Sequence, residues 1–160
     1  MQNDAKREFL RHTLATVAYR GAKALRGAPA EFAGFRGSAT TRTPAEILAH
    51  VGDLFDWAVC LAHGKHVWHD SQPLPWDQEV ERFHENLAAF DSCLASGQPL
   101  GFPAGQLFQG PLADALTHIG QIAMLRRMAG APCRGENYFR ARIEAGRVGP
   151  DQAAPVREFD

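Results

Sequence analysis

An all-α fold is what this chain of 160 residues predicts: a four-helix bundle with a long crossover connection and a short C-terminal helical extension. Three observations carry that prediction. Four segments of similar length repeat apolar residues at intervals of three and four, each is followed by a glycine, and none alternates apolar with polar residues as a strand would. No internal repeat is visible, and the length suits one domain over residues 1–160 with a single core.

The first helix is expected from Asp4 to about Arg26, with Leu10, Leu14, Val17, Ala18 and Leu25 at helical intervals and Gly27 and Pro29 beyond its end. The second has the clearest start signal in the chain. Thr43-Pro44-Ala45-Glu46 combines a capping-box pair with proline at the first helical position. Its stripe is Ile47, His50, Val51, Leu54, Ala58 and Leu61, and Gly64 is its stop. Residues 65–75, rich in His, Trp and Pro, read as an ordered loop. The third helix carries Val80, Phe83, Leu87, Phe90 and Leu94 and closes at Gly97. Residues 98–110 read as a Gly/Pro-rich connection. A fourth helix is expected from about Pro111 to Ala129, with Ala115, His118, Ile122 and Leu125 on one face and Gly130 and Pro132 after it. A short helical piece is expected around residues 137–144. Linkers this long exceed the usual link between antiparallel neighbours, so one or two crossovers are expected.

Composition narrows the function. Hydrophobic residues make up 45% and charged residues 22%, an ordinary balance that argues against global disorder. A formal net charge of -1 offers no basic footprint for nucleic acid. No apolar run reaches membrane-spanning length and no apolar leader opens the chain, so a soluble cytoplasmic protein with no membrane partner is expected. Cys60, Cys93 and Cys133 are odd in number and widely spaced, which suits reduced thiols rather than a disulfide framework or zinc knuckle.

Two segments place metal-capable side chains on or beside an apolar stripe, where leaving them unpaired is costly: His50 in the second helix, and Asp114 and His118 in the fourth. Asp114 and His118 are four apart, so they project from one face about one turn apart. With His50 from a facing helix they form a two-histidine, one-carboxylate set suited to a divalent transition metal, with positions left for water or substrate. The plain alternatives are a satisfied core histidine at position 50 and, for Asp114, an acid favoured by the helix dipole.

The segments Ile47-Leu-Ala-His50-Val-Gly-Asp-Leu and His118-Ile-Gly-Gln121, followed by Ala123-Met-Leu-Arg-Arg-Met-Ala-Gly130, resemble the DinB/YfiT-like superfamily of metal-binding four-helix bundles. The resemblance runs from about residue 10 to 130. It implies that His50, Asp114 and His118 bind the metal, zinc or nickel foremost and iron or manganese as alternatives. Asp114 stands where that family most often has histidine, although the related thiol-dependent maleylpyruvate isomerases look similar in using a carboxylate there. It further implies a metal-dependent enzyme that uses a low-molecular-weight thiol, of the S-transferase or isomerase type, or a hydrolase, acting on a small-molecule substrate, and a homodimer. The alternative is a non-catalytic stress-related or small-ligand-binding protein that retains the site. Gln121 or Asp53 is expected to steady the ligands by hydrogen bonding.

Other constellations carry less. His63, His66 and His69 recur every three residues, but Gly64 interrupts any helical face, so exposed polar residues are expected, the alternative being that His66 and Trp68 line the mouth of the site. Glu81-x-x-His84 is the element that di-iron bundles use twice, and it occurs here once. Cys60 falls ten residues after His50, nearly opposite it on the helix, and Cys93 reads as packing. Phe83 and Phe90 are core by periodicity. Trp68, Trp76, Phe102 and Phe108 sit in or beside loops, where each lines a pocket or covers the end of the bundle.

Overall fold

The computed structural model describes residues 2–159, and it is predominantly helical. Helix α1 (Gln2–Leu25) buries Leu10, Leu14, Val17, Ala18 and Leu25, the stripe that its periodicity marks. A 3-10 turn at Ala30–Gly34 then tucks Phe32 under the fold, edge-on to Trp76 at 5.6 Å between ring centroids. Helix α2 (Pro44–Ala62) begins at the expected capping box. The Thr43 hydroxyl accepts from the Glu46 amide at 3.2 Å and the Glu46 carboxylate accepts from the Thr43 amide at 2.6 Å. A cap of this kind contributes about 1 kcal/mol. Helix α3 (Trp76–Ala95) buries Phe83, Leu87, Phe90 and Leu94, with Val80 half-buried.

The fourth helical segment departs from expectation at its start. Helix begins at Ala104, not Pro111: α4 (Ala104–Leu107) runs through a π-helical turn (Phe108–Leu112) into α5 (Ala113–Met128). Pro111 has no N–H to give to an upstream carbonyl and its ring crowds that carbonyl, so the chain widens by a residue here instead of stopping. Gly101, in the remaining connection, lies so close against Gly64 that a Cβ there would overlap the Gly64 backbone, and its amide donates to the Ala62 carbonyl at 2.9 Å. Gly64 itself has φ of 76°, the left-handed conformation that a C-terminal helix stop requires.

Around the shared core, α1 packs on α3 and α5, and α2 packs on α3 and α5, so consecutive helices α1 and α2 sit across a diagonal. Side-chain pairs fix the directions. Arg7, near the start of α1, donates to the Leu94 carbonyl in the last turn of α3 and to the Gln98 carbonyl just beyond it, and Arg11 pairs with Asp91, so α1 and α3 are antiparallel. Arg126, near the end of α5, donates to the Ala24 and Arg26 carbonyls at the end of α1, so these two run together. Arg82 and Asn86 of α3 donate to the Ala49 and Gly52 carbonyls of α2, in matching order, so α2 and α3 are parallel too. Their connection, 65–75, is therefore the crossover: it returns along the flank of α2, with His69 on Asp56 and Ser71 on Asp53.

The C-terminal segment is not the expected helix. Residues 137–144 contain only one 3-10 turn, Tyr138–Arg140, and strands β1 (Gly135–Glu136) and β2 (Glu158–Phe159) pair antiparallel. Buried Glu136 accepts from the Tyr19 hydroxyl at 2.6 Å and from Lys23 at 2.8 Å, which ties the tail to α1. Burial and that carboxylate hold the Tyr19 phenol protonated well above its usual range. Among the described residues no helix is long and apolar enough to cross a membrane.

Candidate metal centre

His50 lies two turns inside α2, and Asp114 and His118 one turn apart at the start of α5; the antiparallel contact of α2 with α5 brings all three together. One ligand-capable atom from each lies within 4.8 Å of the others. The His50 Nε2 is 3.5 Å from Asp114 Oδ2, the His118 Nδ1 is 3.2 Å from Asp114 Oδ1, and the two imidazole rings are 4.6 Å apart between centroids. Donors bound at about 2.0–2.1 Å around a tetrahedral ion stand roughly 3.3 Å from each other, which the 3.5 Å separation of His50 Nε2 and Asp114 Oδ2 already approaches, while His118 must bring its other nitrogen, Nε2, to the ion because Nδ1 is engaged by its own helix.

The protonation pattern suits ligation. His118 Nδ1 donates to the Asp114 backbone carbonyl at 2.8 Å, which places the proton on Nδ1 and leaves the Nε2 lone pair free. That carbonyl also accepts from the Thr117 hydroxyl at 2.8 Å. Burial, aided by His118, pushes the His50 pKa below its usual value while Asp114 opposes the shift, so His50 is the neutral imidazole at pH 7. Asp114 is preceded by helical turns instead of a free helix end, which removes the dipole explanation for its position.

The crossover loop supplies a wall. Trp68 sits 5.5 Å from the His50 ring, perpendicular to Trp57 at 5.9 Å, and His66 stacks on Trp57 at 5.5 Å with Phe102 beyond it. Both His66 and Trp68 are exposed, yet they border the site, as the second of the two sequence readings has it. The Trp57 indole N–H is buried without a hydrogen-bond partner, and its ring lines a cavity of about 480 Å³ with Asp114 and Thr117.

Neither residue expected to steady the ligands does so. Asp53 is buried, but its oxygens accept from the Ser71 amide and hydroxyl at 2.9 and 2.7 Å and from Arg82, so it anchors the crossover loop. Gln121 is exposed and lines a separate groove. The hydrogen bond to His118 comes instead from the helix backbone one turn back, a contact that any histidine at this spacing can reach. His118 itself stands half-buried beside the stripe, which is completed by Ile119.

The remaining histidines and cysteines lie elsewhere. His63 contacts its own helix at the Val59 carbonyl, His69 pairs with Asp56, and His84 is buried against the Val148 carbonyl at 3.0 Å with Glu81 exposed, so the Glu-x-x-His element holds no site. The three cysteines are free, and burial pushes the Cys93 thiol up. Phe108 packs on Phe9 at 6.3 Å, away from the triad. Sequence reasoning missed Arg42, which lines a polar cleft of about 200 Å³ together with His50. Its position in the loop before Thr43 carries no periodic signal.

No protein-family profile, curated protein or solved structure matches the chain.

Proposed function

We propose that this chain is a divalent-metal protein of the DinB/YfiT-like kind, a four-helix bundle in which His50, Asp114 and His118 hold zinc or nickel, with iron or manganese also compatible. The observation that carries the proposal is the convergence of three donors from two helices at the edge of open clefts. A metal held there would keep a small thiol deprotonated at neutral pH, or acidify water, for attack on an electrophile. The chain's own residues supply the rest. The two imidazoles and one carboxylate fill three positions and leave others for exchange. The Asp114 carbonyl fixes the His118 tautomer, and Trp68 shields one side of His50 from solvent. A thiol S-transferase or isomerase, or a hydrolase, acting on a small substrate is the reading this arrangement supports best; the homodimer and the cytoplasmic setting belong to the proposal through the family resemblance alone.

Metal content by plasma mass spectrometry tests it, on untagged protein and on His118→Ala. Near-stoichiometric metal in the wild type that is lost in the variant is the expected result. Equal metal in both, or none after reloading with zinc, nickel, manganese and ferrous iron, sinks the assignment and favours a binding protein without turnover. Light scattering tests the dimer.

A further inference from the structure

We propose that the groove beside the triad binds an amphipathic carboxylate, its head on Arg42 and its apolar body along α5 over Gly120. The groove, about 560 Å³, lies within the range of roughly 300–1,000 Å³ typical of small-molecule sites. Ile47, Leu125 and the exposed Met124 and Met128 give it an apolar wall, and methionine adapts to ligands of varied shape. It adjoins the two cavities that the triad lines, through one shared residue each. Thr117 lines both this groove and the Asp114 cavity, and Arg42 lines both this groove and the His50 cleft.

Arg42 forms no hydrogen bond or ion pair among the described residues, although its charge acts on Glu46 and His50. The neighbouring acids are engaged elsewhere: Glu46 by the Thr43 amide and Arg36, and Asp53 by Ser71 and Arg82. Asp70, at the cleft, is exposed. One guanidinium matches the two oxygens of a carboxylate, whereas a phosphate dianion would call for more donors.

Gly120 is the second, independent observation. It lies inside α5, where glycine costs about 1 kcal/mol relative to alanine, and a Cβ built on it meets nothing within 4 Å. No neighbouring group requires its small size, and a side chain there would occupy the groove.

The proposal rests on the metal reading only in naming the bound molecule as that centre's substrate, so the experiment separates the two. Calorimetric titration uses octanoate below its micelle concentration, with 1-octanol, octylamine and octyl phosphate for comparison, against wild type, Arg42→Gln, Arg42→Lys and Gly120→Leu. Metal content is measured on each sample. Octanoate should bind the wild type more tightly than the other three probes. Arg42→Gln should weaken octanoate about tenfold and leave octanol unchanged, as expected for one charge-assisted contact, with partial rescue by Arg42→Lys. Gly120→Leu should abolish binding of both while helicity is retained. Octanoate binding that ignores both substitutions, or that is no tighter than that of octanol, octylamine or octyl phosphate, overturns the proposal whatever the metal content. Wild type that takes up no metal on reloading yet shows these effects overturns the metal reading alone.

Discussion

Two glycines inside helices give the sharpest test of the packing, because the same substitution should have opposite signs. At Gly120 a Cβ enters open space, so Gly120→Ala should gain the full helix-propensity difference of about 1 kcal/mol. For a protein of this size that raises Tm by roughly 2–4 °C. At Gly21, within α1, a Cβ would stand 2.5 Å from Phe83 Cζ, 2.9 Å from its Cε1 and 3.4 Å from Ile119 Cδ1. Phe83 is fully buried, so its ring has no free space to yield. Overpacking of this kind costs about 1–3 kcal/mol, which outweighs the same propensity gain and leaves Gly21→Ala roughly 1 kcal/mol less stable. Both substitutions restrict the unfolded chain equally, so their difference of about 2 kcal/mol isolates native packing. Urea denaturation of the two variants beside wild type measures it. A Gly21→Ala as stable as Gly120→Ala would refute the placement of α1 against α3 at Phe83, and a neutral Gly120→Ala would refute the open face of α5.

Replacing Glu136 by Gln keeps an acceptor for Tyr19 but trades charge-assisted bonds for neutral ones, which should cost about 1–2 kcal/mol and hasten tryptic cleavage at Arg157; unchanged cleavage would detach the tail from α1. His84 is held neutral by burial, with its pKa pushed below the usual value against the opposing pull of the Val148 carbonyl. The unfolded chain therefore binds the proton more readily, so this histidine's contribution is present above about pH 6.5 and is lost as pH falls toward the depressed native pKa. His84→Gln should flatten that slope in denaturation curves taken between about pH 7.5 and 5.5, and a slope parallel to wild type would refute it. Trp68 stands 5.5 Å from His50 and Trp57 lines the Asp114 cavity, so nickel or cobalt loading should quench tryptophan fluorescence, and replacing both Trp57 and Trp68 by Phe should remove most of the quenching; undiminished quenching of the remaining Trp76 would place the ion elsewhere.

What could be read from the chain follows the reach of each signal. The α2 cap is local chemistry within four residues, and the structure realises both of its hydrogen bonds. The stripe through Phe83, Leu87, Phe90 and Leu94 needs only the helical period, as does the one-turn spacing of Asp114 and His118. That His50 faces this pair depends on α2 running antiparallel to α5, and no residue near His50 encodes that direction. The direction is set at a distance, by the crossover loop lying back along α2, where Asp53 holds Ser71 and Asp56 holds His69. The same cause explains the misplaced role of Asp53. One turn from His50 it is well sited to support a ligand, but the returning loop and Arg82 claim its oxygens first. Pro111 fails as a start signal for the opposite reason: its local preference is genuine, but packing of Leu107 and Leu112 in the core carries the helix through it as a π turn. Arg42 and the crossover aromatics belong to non-periodic segments, so their place beside the triad emerges only once the long-range contacts are formed. The donors were thus legible as a set of residues, while the chemistry that selects their ligand lies in the loops around them.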